Sequence, residues 1–263
     1  MVNAPLLRRA AAGTVLAAAA WHIGPAATWL PAVRRTLGPA LDGQGDHGHV
    51  ALTFDDGPDP RSTPLFLREL DRLSVRATFF VLGSALERHR ALGREIVTEG
   101  HELAVHGWHH EHPWTPRPRR DAHELRRTVE AVRRLAGRRP LWYRPPYGIL
   151  TAGRWAAARR AGLQPVLWSA WGRDWTARAS PDTVLAELNR TLRGGTTVLL
   201  HDSDSTGARG AWRAPLGALP DLIAACREHG LAVGPLAEHG VRGHRGPVRP
   251  PVARAGGMPL LWR

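Results

Sequence analysis

From residue 49 onward, short apolar runs alternate with stretches whose apolar residues recur at helical spacing. This alternation is typical of βα units that build a parallel sheet or barrel. The sequence predicts seven strands, at 49–55, 77–82, 102–106, 141–144, 165–169, 196–201 and 231–234. It predicts six helices between them, at 63–73, 86–99, 120–136, 151–161, 181–192 and 216–229. We therefore expect an α/β fold in which a single domain forms a barrel-like structure.

Residues 1–35 have a different pattern. Arg8 and Arg9 precede a segment, 10–33, that contains no Asp, Glu, Lys or Arg. A basic start followed by a short apolar stretch is typical of a signal peptide or a membrane anchor. The alternatives are a helix packed on the domain and a disordered leader. On the first interpretation the protein is extracytoplasmic, either secreted or anchored through this N-terminal segment.

Two further segments flank the predicted domain. Residues 36–48 are rich in Gly, Asp and His, and they are interpreted as a linker. Residues 239–263 contain Arg, Pro and Gly but no acidic residue, so they are predicted to be a flexible basic tail.

The chain is strongly basic. Its 36 Lys and Arg residues exceed its 23 Asp and Glu residues, which gives a formal net charge of +13, and every one of the basic residues is Arg. The excess favours anionic partners such as an anionic membrane or wall polymer, although a compositional bias that spreads Arg over the surface explains it at least as well. No RNA-binding or zinc-finger signature accompanies the charge, so we expect no nucleic-acid partner. A monomer is the default oligomeric state.

Polar residues that could take part in catalysis or metal binding follow the predicted strands. In parallel α/β folds, the loops that leave the carboxyl ends of the strands form the active face. The residues in question are Asp55 and Asp56, His106 to His110, Arg144 to Gly148, Asp174 and Trp175, and His201 with Asp202. Five such coincidences are hard to attribute to packing.

Asp55 and Asp56 are adjacent carboxylates at the end of a core strand. Like charges this close need a cation or a division of roles. His106 could join one ion together with His110, at i+4, or with His109, at i+3, and spacing alone does not decide between them. Two histidines and a carboxylate have the composition of a catalytic zinc site or a related divalent site.

Residues 53–58 read TFDDGP. This segment matches in full the first motif of the polysaccharide deacetylases of the NodB-homology type, also called carbohydrate esterase family 4. Four further segments resemble the other motifs of that family in the same order, at 106–110, 144–148, 168–175 and 199–202. The resemblance implies a distorted (β/α)7-type barrel as a single catalytic domain at 49–238. It also implies metal-assisted removal of acetyl groups from sugars.

The resemblance divides the roles of the two carboxylates. It makes Asp55 the general base that activates water and Asp56 a metal ligand, with His106 and His110 as the other ligands. The implied cofactor is a divalent metal, with Zn²⁺ preferred and Co²⁺, Mn²⁺ or Ni²⁺ as alternatives. A divalent ion neutralises one carboxylate and leaves its neighbour free to accept a proton, which agrees with this division. His109 receives no role.

The resemblance also implies roles for residues around the metal. Arg144 would hold the catalytic Asp, and the backbone amide of Tyr147 would stabilise the oxyanion. Leu199 would line the pocket for the acetyl methyl group. His201 would be the general acid that protonates the leaving group.

The fourth motif is less complete. Asp174 would orient the general acid and Trp175 would wall the sugar groove, but an upstream Asp that is often present in this motif is absent. Gly107 also replaces the usual Ser or Thr of the second motif. These departures concern how residues around the metal are positioned and not the metal ligands themselves.

Tryptophans are frequent around the motif segments, at 108, 114, 142, 168, 171, 175 and 212. Aromatic faces that line a groove are suited to stacking on sugar rings. Filling of the core is the alternative, and it explains Trp142 and Trp168 better than Trp175 or Trp212.

The sequence therefore predicts a metal-dependent hydrolase that removes acetyl groups from N-acetylated sugars of a cell-wall or surface polysaccharide. Its partner would be an acetylated polysaccharide or oligosaccharide. One alternative is an O-acetyl esterase that acts on acetylated glycans. Another is a catalytically weak, membrane-tethered glycan-binding protein, against which the presence of a base, an orienting residue and an acid argues.

Overall fold

A parallel sheet organises the protein. The computed structural model describes residues 4–241. The strands are β1 His49–Asp55, β2 Thr78–Leu82, β3 Glu102–Gly107, β4 Trp142–Tyr143, β5 Gln164–Pro165, β6 Ala170–Trp171, β7 Thr197–His201 and β8 Ala232–Gly234. Their order is β5-β4-β3-β2-β1-β7-β6, with β8 paired to β1, and the paired strands run parallel. The sheet curls into a half-barrel, which confirms the predicted α/β class and single domain.

Helices alternate with these strands. They are α1 Ala4–Ile23, α2 Pro31–Leu37, α3 Thr63–Arg72, α4 Gly83–Arg88, α5 Arg90–Thr98, α6 Pro118–Ala136, α7 Ala152–Arg160, α8 Pro181–Asn189 and α9 Arg213–Glu228. The longest helix of the barrel, α6, buries Leu125, Val129 and Val132 at helical spacing and exposes its Arg-rich face. An apolar stripe of this kind is what fixes a helix on a sheet.

The chain crosses between the two edges of the sheet at residues 164–171. The sequence predicts one strand at 165–169, whereas the structure has two short ones, β5 and β6, at opposite edges. Between them the amide of Val166 bonds to Tyr143 O at 2.9 Å, and the amide of Ser169 bonds to Thr197 O at 3.0 Å. The run is apolar because it is buried at this crossing, and periodicity cannot distinguish such a run from a continuous strand.

β1 lies at the centre of the sheet and positions the candidate chemistry. It is flanked by β2 and β7, with Asp55 in register with Phe80 on one side and His201 on the other. Phe54 points into the main core, where its ring lies 5.1 Å from that of Phe79. Because its neighbouring strands are parallel, their carboxyl ends meet beside Asp55.

The residues before β1 pack on the barrel. His22 Nε2 donates to Pro113 O at 3.1 Å, and the buried side chain of Arg34 reaches Trp168 O at 2.9 Å.

On α1, Val15, Leu16 and Trp21 are exposed. Among the helices that the structure describes, none combines the length and the apolar character needed to cross a bilayer. Of the predicted basic tail, residues 242–263 lie outside the described residues.

Candidate active site and metal centre

Asp56, His106 and His110 form a cluster at the carboxyl ends of β1 and β3. Asp56 Oδ1 lies 3.3 Å from His106 Nε2 and 3.6 Å from His110 Nε2. One ligand atom from each residue lies within 4.8 Å of the others. Asp56 Oδ1 is buried and accepts no hydrogen bond. A buried carboxylate oxygen that faces two imidazole nitrogens fits a cation, and the donor set suits a divalent metal.

The tautomer of His106 suits metal binding. Its Nδ1 lies 2.8 Å from the carbonyl oxygen of Arg144, which can only accept, so Nδ1 carries the proton. Nε2 therefore keeps a free lone pair on the side of Asp56. A hydrogen bond of this kind to the distal nitrogen fixes the ring of a metal-binding histidine.

Electrostatics favour the ligating forms. Burial lowers the pKa of His110 to about 4, so its imidazole is neutral at physiological pH. Burial opposes ionisation of Asp56, but the cluster histidines and His201 outweigh it and hold the pKa of Asp56 below its usual range. His109, the alternative that the spacing left open, is exposed and lies outside the cluster.

Asp55 is held by a buried arginine. Arg144 Nη1 donates to Asp55 Oδ1 at 2.7 Å and to Thr53 Oγ1 at 2.8 Å, and Nη2 donates to Leu167 O at 2.8 Å. The guanidinium also lies 4.0 Å from the centre of the Phe80 ring. Burial lowers the pKa of Arg144, and the Asp55 carboxylate opposes that shift. Because Arg144 binds Oδ1, Oδ2 is the oxygen of Asp55 placed to accept a proton.

His201, at the end of β7, and Asp174 form a second charged pair. Burial disfavours the charge on His201, but Asp174 and the carboxylates of Asp56 and Asp55 outweigh it and raise the pKa of His201 to about 10. His201 is therefore protonated at neutral pH.

Tyr147 follows two prolines and has φ +59°, in the left-handed region. Its ring stacks on His112, with 3.8 Å between ring centroids and 3° between planes. The preceding Pro145 and Pro146 restrict the turn, so the Tyr147 amide has a fixed direction. A fixed amide is the kind of donor that oxyanion stabilisation requires.

A cleft of about 380 Å³ brings these groups together. Its lining includes the predicted residues Asp55, His106, His110, Tyr147, Trp175, Leu199 and His201. Trp168, Trp171 and Trp175 line it too, and the rings of Trp171 and Trp175 stack at 4.5 Å. The other predicted tryptophans do not line it, and Trp108 and Trp142 are buried.

Comparison with known proteins identifies the family. The family model described as polysaccharide deacetylase matches residues 42–166. A chitooligosaccharide deacetylase from Bradyrhizobium sp. (strain ANU 289) is 36% identical over 214 residues, which are 79% of this chain and 95% of that protein. The chain belongs to the polysaccharide deacetylase family.

Other members of the polysaccharide deacetylase family are similar in sequence and in structure. A peptidoglycan-N-acetylglucosamine deacetylase from Bacillus cereus is 32% identical over 185 residues, which are 70% of this chain and 66% of that protein. The solved structure of a family 4 carbohydrate esterase from Streptomyces lividans in complex with acetate has a TM-score of 0.64 at 31% identity. The match covers 72% of this chain and 93% of that one. Polysaccharide deacetylases of this family are metal-dependent hydrolases.

Position 107 has Gly where the family motif usually has Ser or Thr, and a residue on another element supplies the missing hydroxyl. Gly107 has φ +134°, and a Cβ there would lie 3.2 Å from His109 O, so a side chain would be strained. The hydroxyl of Thr128, on α6, donates to Gly107 O at 3.2 Å. A hydroxyl thus braces the end of β3 although the motif position lacks one.

Asp202, a candidate from the sequence, and two residues that the sequence does not identify lie near the centre. The hydroxyl of Thr206 donates to Asp56 Oδ2. Asp202 is buried beside the centre, and burial raises its pKa to about 7. Trp29, from the predicted leader, lines the cleft. Asp202 is recognised because it follows a predicted strand, whereas no local pattern marks Trp29 or Thr206.

Proposed function

We propose that this chain removes acetyl groups from N-acetylated sugars of a cell-wall glycan. The observation that carries the proposal is the meeting in one cleft of three units: a metal-binding cluster, a carboxylate held by Arg144, and a protonated histidine held by Asp174. A binding protein needs no such combination of base and acid. Relatives named for chitooligosaccharide and peptidoglycan deacetylation support an N-acetyl substrate.

Asp56, His106 and His110 would hold the metal, and we propose Zn²⁺ because two imidazoles and a carboxylate are a common catalytic zinc set. When bound, such an ion lowers the pKa of water and polarises a carbonyl group. The remaining chemistry belongs to the side chains and the backbone of the protein.

Asp55 Oδ2 accepts the proton of the attacking water, while Arg144 holds the carboxylate in position. The Tyr147 amide donates to the oxygen on which negative charge develops. Leu199, which is buried at the cleft wall, contacts the acetyl methyl group. His201 then gives its proton to the departing nitrogen, so that acetate and a free amine result.

Acetate release from chitooligosaccharides by the full-length protein tests this proposal. Asp55→Asn should keep metal and substrate binding but lose nearly all turnover, whereas His106→Ala should lose both metal and turnover. Asp221→Asn, at an exposed site on α9, is the matched control and should behave as wild type. Normal acetate release by Asp55→Asn would overturn the mechanism.

Acetylated xylan in the same assay separates the two acetyl chemistries. Release from xylan alone would make the protein an O-acetyl esterase. Tight glycan binding with no metal-dependent release from either substrate would make it a binding protein.

The proposed substrate also suggests a location. Peptidoglycan, the substrate in the name of the Bacillus cereus relative, lies outside the cytoplasmic membrane. We therefore propose that the activity lies outside the cytoplasm, with residues 1–35 as an export signal or anchor that is retained, because Trp29 and Arg34 pack on the barrel. Cell fractionation followed by N-terminal sequencing would distinguish a cleaved from a retained leader.

A further inference from the structure

One wall of the cleft comes from outside the strand-end loops. Trp29 lies in a short 3₁₀ turn, Gly24–Trp29, between α1 and α2, well before the first strand. It lines the same cleft as Asp55, His106 and His201. We propose that Trp29 forms a sugar-binding subsite for a saccharide unit adjacent to the one that loses its acetyl group. This inference rests on the proposed function and extends it to chain-length specificity.

The position of the Trp29 ring is suited to a ligand. The ring meets Trp171 edge to face, with 6.5 Å between centroids and 88° between planes. Trp171 in turn stacks on Trp175, which lies beside His201. The three indoles therefore form a continuous aromatic wall that leads away from the general acid.

Trp29 also contacts the turn that carries Tyr147. A Cβ on Gly148 would lie 3.3 Å from Trp29 Cδ1, and Gly148 directly follows Tyr147. The indole thus packs against the turn that would supply the oxyanion donor. In this proposal, a sugar that stacks on Trp29 is the neighbour, along the glycan chain, of the sugar whose acetyl group reacts.

Trp29 keeps 44% of its surface exposed although it packs on this turn. The apolar C–H faces of pyranose rings stack well on indole, so an exposed indole within a cleft offers a site for a sugar ring. In the proposed arrangement the acetylated sugar lies at the metal centre, and a neighbouring unit of the glycan stacks on this surface.

Arg34, which is buried in α2, fixes the backbone that carries Trp29. Its Nη1 donates to Thr28 O at 3.1 Å and to Trp29 O at 3.2 Å, and its Nη2 donates to Trp168 O at 2.9 Å. Asp42 accepts from Nε at 2.8 Å. One guanidinium thus ties the carbonyl of Trp29 to the carbonyl of Trp168, another residue of the cleft wall. A wall fixed before binding loses less entropy when the ligand arrives.

Calorimetric titration of the full-length protein with the pentamer and the monomer of N-acetylglucosamine tests the proposal. An Asp55→Asn background prevents turnover. Trp29→Ala in this background should weaken the binding of the pentamer by about three- to tenfold, because an aromatic contact of this kind contributes modestly. The affinity for the monomer should not change. Trp29→Phe should recover most of the pentamer affinity, because it restores a stacking face.

Trp114→Ala is the matched control, since Trp114 is 49% exposed and does not line the cleft. It should leave both affinities unchanged. If thermal melting shows that Trp29→Ala unfolds, Trp29→Leu decides instead, because Leu keeps apolar volume but lacks a ring.

An unchanged pentamer affinity in Trp29→Ala, or in Trp29→Leu where that variant replaces it, would overturn the inference. Equal losses for monomer and pentamer would do so as well, as would an absence of pentamer binding when Trp29 is intact. Failure of the proposed function looks different: the wild type would release no acetate, while the pentamer would still lose affinity in Trp29→Ala.

Discussion

The Asp174 carboxylate holds His201 at two points, accepting from its backbone amide at 2.7 Å and from its ring Nδ1 at 2.8 Å. The first bond fixes the end of β7, and the second fixes the ring and its tautomer. Because Asp174 can only accept, Nδ1 carries the proton, and the other ring nitrogen is left to exchange a proton with a ligand. The same carboxylate contributes to the raised pKa of His201.

Replacement of Asp174 by Asn should therefore lower the pKa of His201. A raised pKa keeps His201 protonated until the pH rises through about 10, so its loss should move the alkaline limb of kcat/KM to lower pH. We expect kcat/KM at neutral pH to fall roughly a hundredfold, within the usual range for general acid catalysis. The measurement is a pH–rate profile of acetate release.

Asp182→Asn, at an exposed site in the first turn of α8, is the control and should keep the wild-type profile. An unchanged alkaline limb in Asp174→Asn would mean that Asp174 does not set the proton affinity of the acid.

Removal of the metal should abolish activity reversibly. We expect a chelator to stop acetate release and stoichiometric Zn²⁺ to restore it, because the three ligands remain in place without the ion. Asp56→Ala should fail to recover on addition of metal. His109→Ala should bind one equivalent like the wild type, because His109 lies outside the cluster. The bound metal of both variants is measured after dialysis. Loss of the metal in His109→Ala would mean that the wrong histidine had been taken as the ligand.

Arg144→Met should destabilise the fold as well as the activity. The change leaves Asp55 buried without its cation, and breaking a buried pair in this way costs about 3–5 kcal/mol. Urea unfolding of the wild type, of Arg144→Met and Asp55→Ala, and of the double variant gives the coupling between the two residues. The double variant should be destabilised by clearly less than the sum of the single variants, and simple additivity would contradict a direct interaction.

Acid should weaken the fold through His101. The Nδ1 of this buried residue accepts from the Ala77 amide at 3.1 Å, and burial followed by the charge of Arg76 lowers its pKa from 6.5 to about 4. The folded state thus disfavours protonation, so this contribution to stability is complete above pH 6.5 and is lost as the pH falls toward 4.

His101→Asn keeps an acceptor near the position of Nδ1 but does not titrate. Between pH 7 and pH 5, the wild type should lose up to about 2 kcal/mol more unfolding free energy than this variant. Urea titrations at both pH values give the difference. His89→Asn, which replaces a histidine in the loop between α4 and α5, should keep the pH dependence of the wild type. If the unfolding free energy of the wild type and of His101→Asn falls equally between the two pH values, His101 is not the cause of the acid sensitivity.

The sequence predicts the centre of the site because its residues follow parallel strands. Once Asp55 and His201 are placed at strand ends, the parallel order of the sheet brings them together. The choice between His109 and His110 depends on how one loop turns, and spacing does not encode that turn. Family resemblance therefore decides it at the level of sequence.

Other features depend on contacts between distant parts of the chain. Trp29 belongs to a segment whose composition indicates export, and its place in the cleft follows from the long-range contact between Arg34 and Trp168. Residues 165–169 are predicted as one strand because they are mostly apolar, but their partners lie on opposite edges of the sheet. Patterns within a short window cannot report contacts of this kind.

The backbone conformation at Asp56 affects how a protein of this kind can evolve. Its φ of +80° lies in the left-handed region, which Asn tolerates much as Asp does. An Asp56→Asn change therefore keeps the turn while it removes the charge that a cation needs. Such a substitution would weaken the metal site and leave the barrel and its tryptophans in place, so catalysis can be lost in evolution without any loss of the fold.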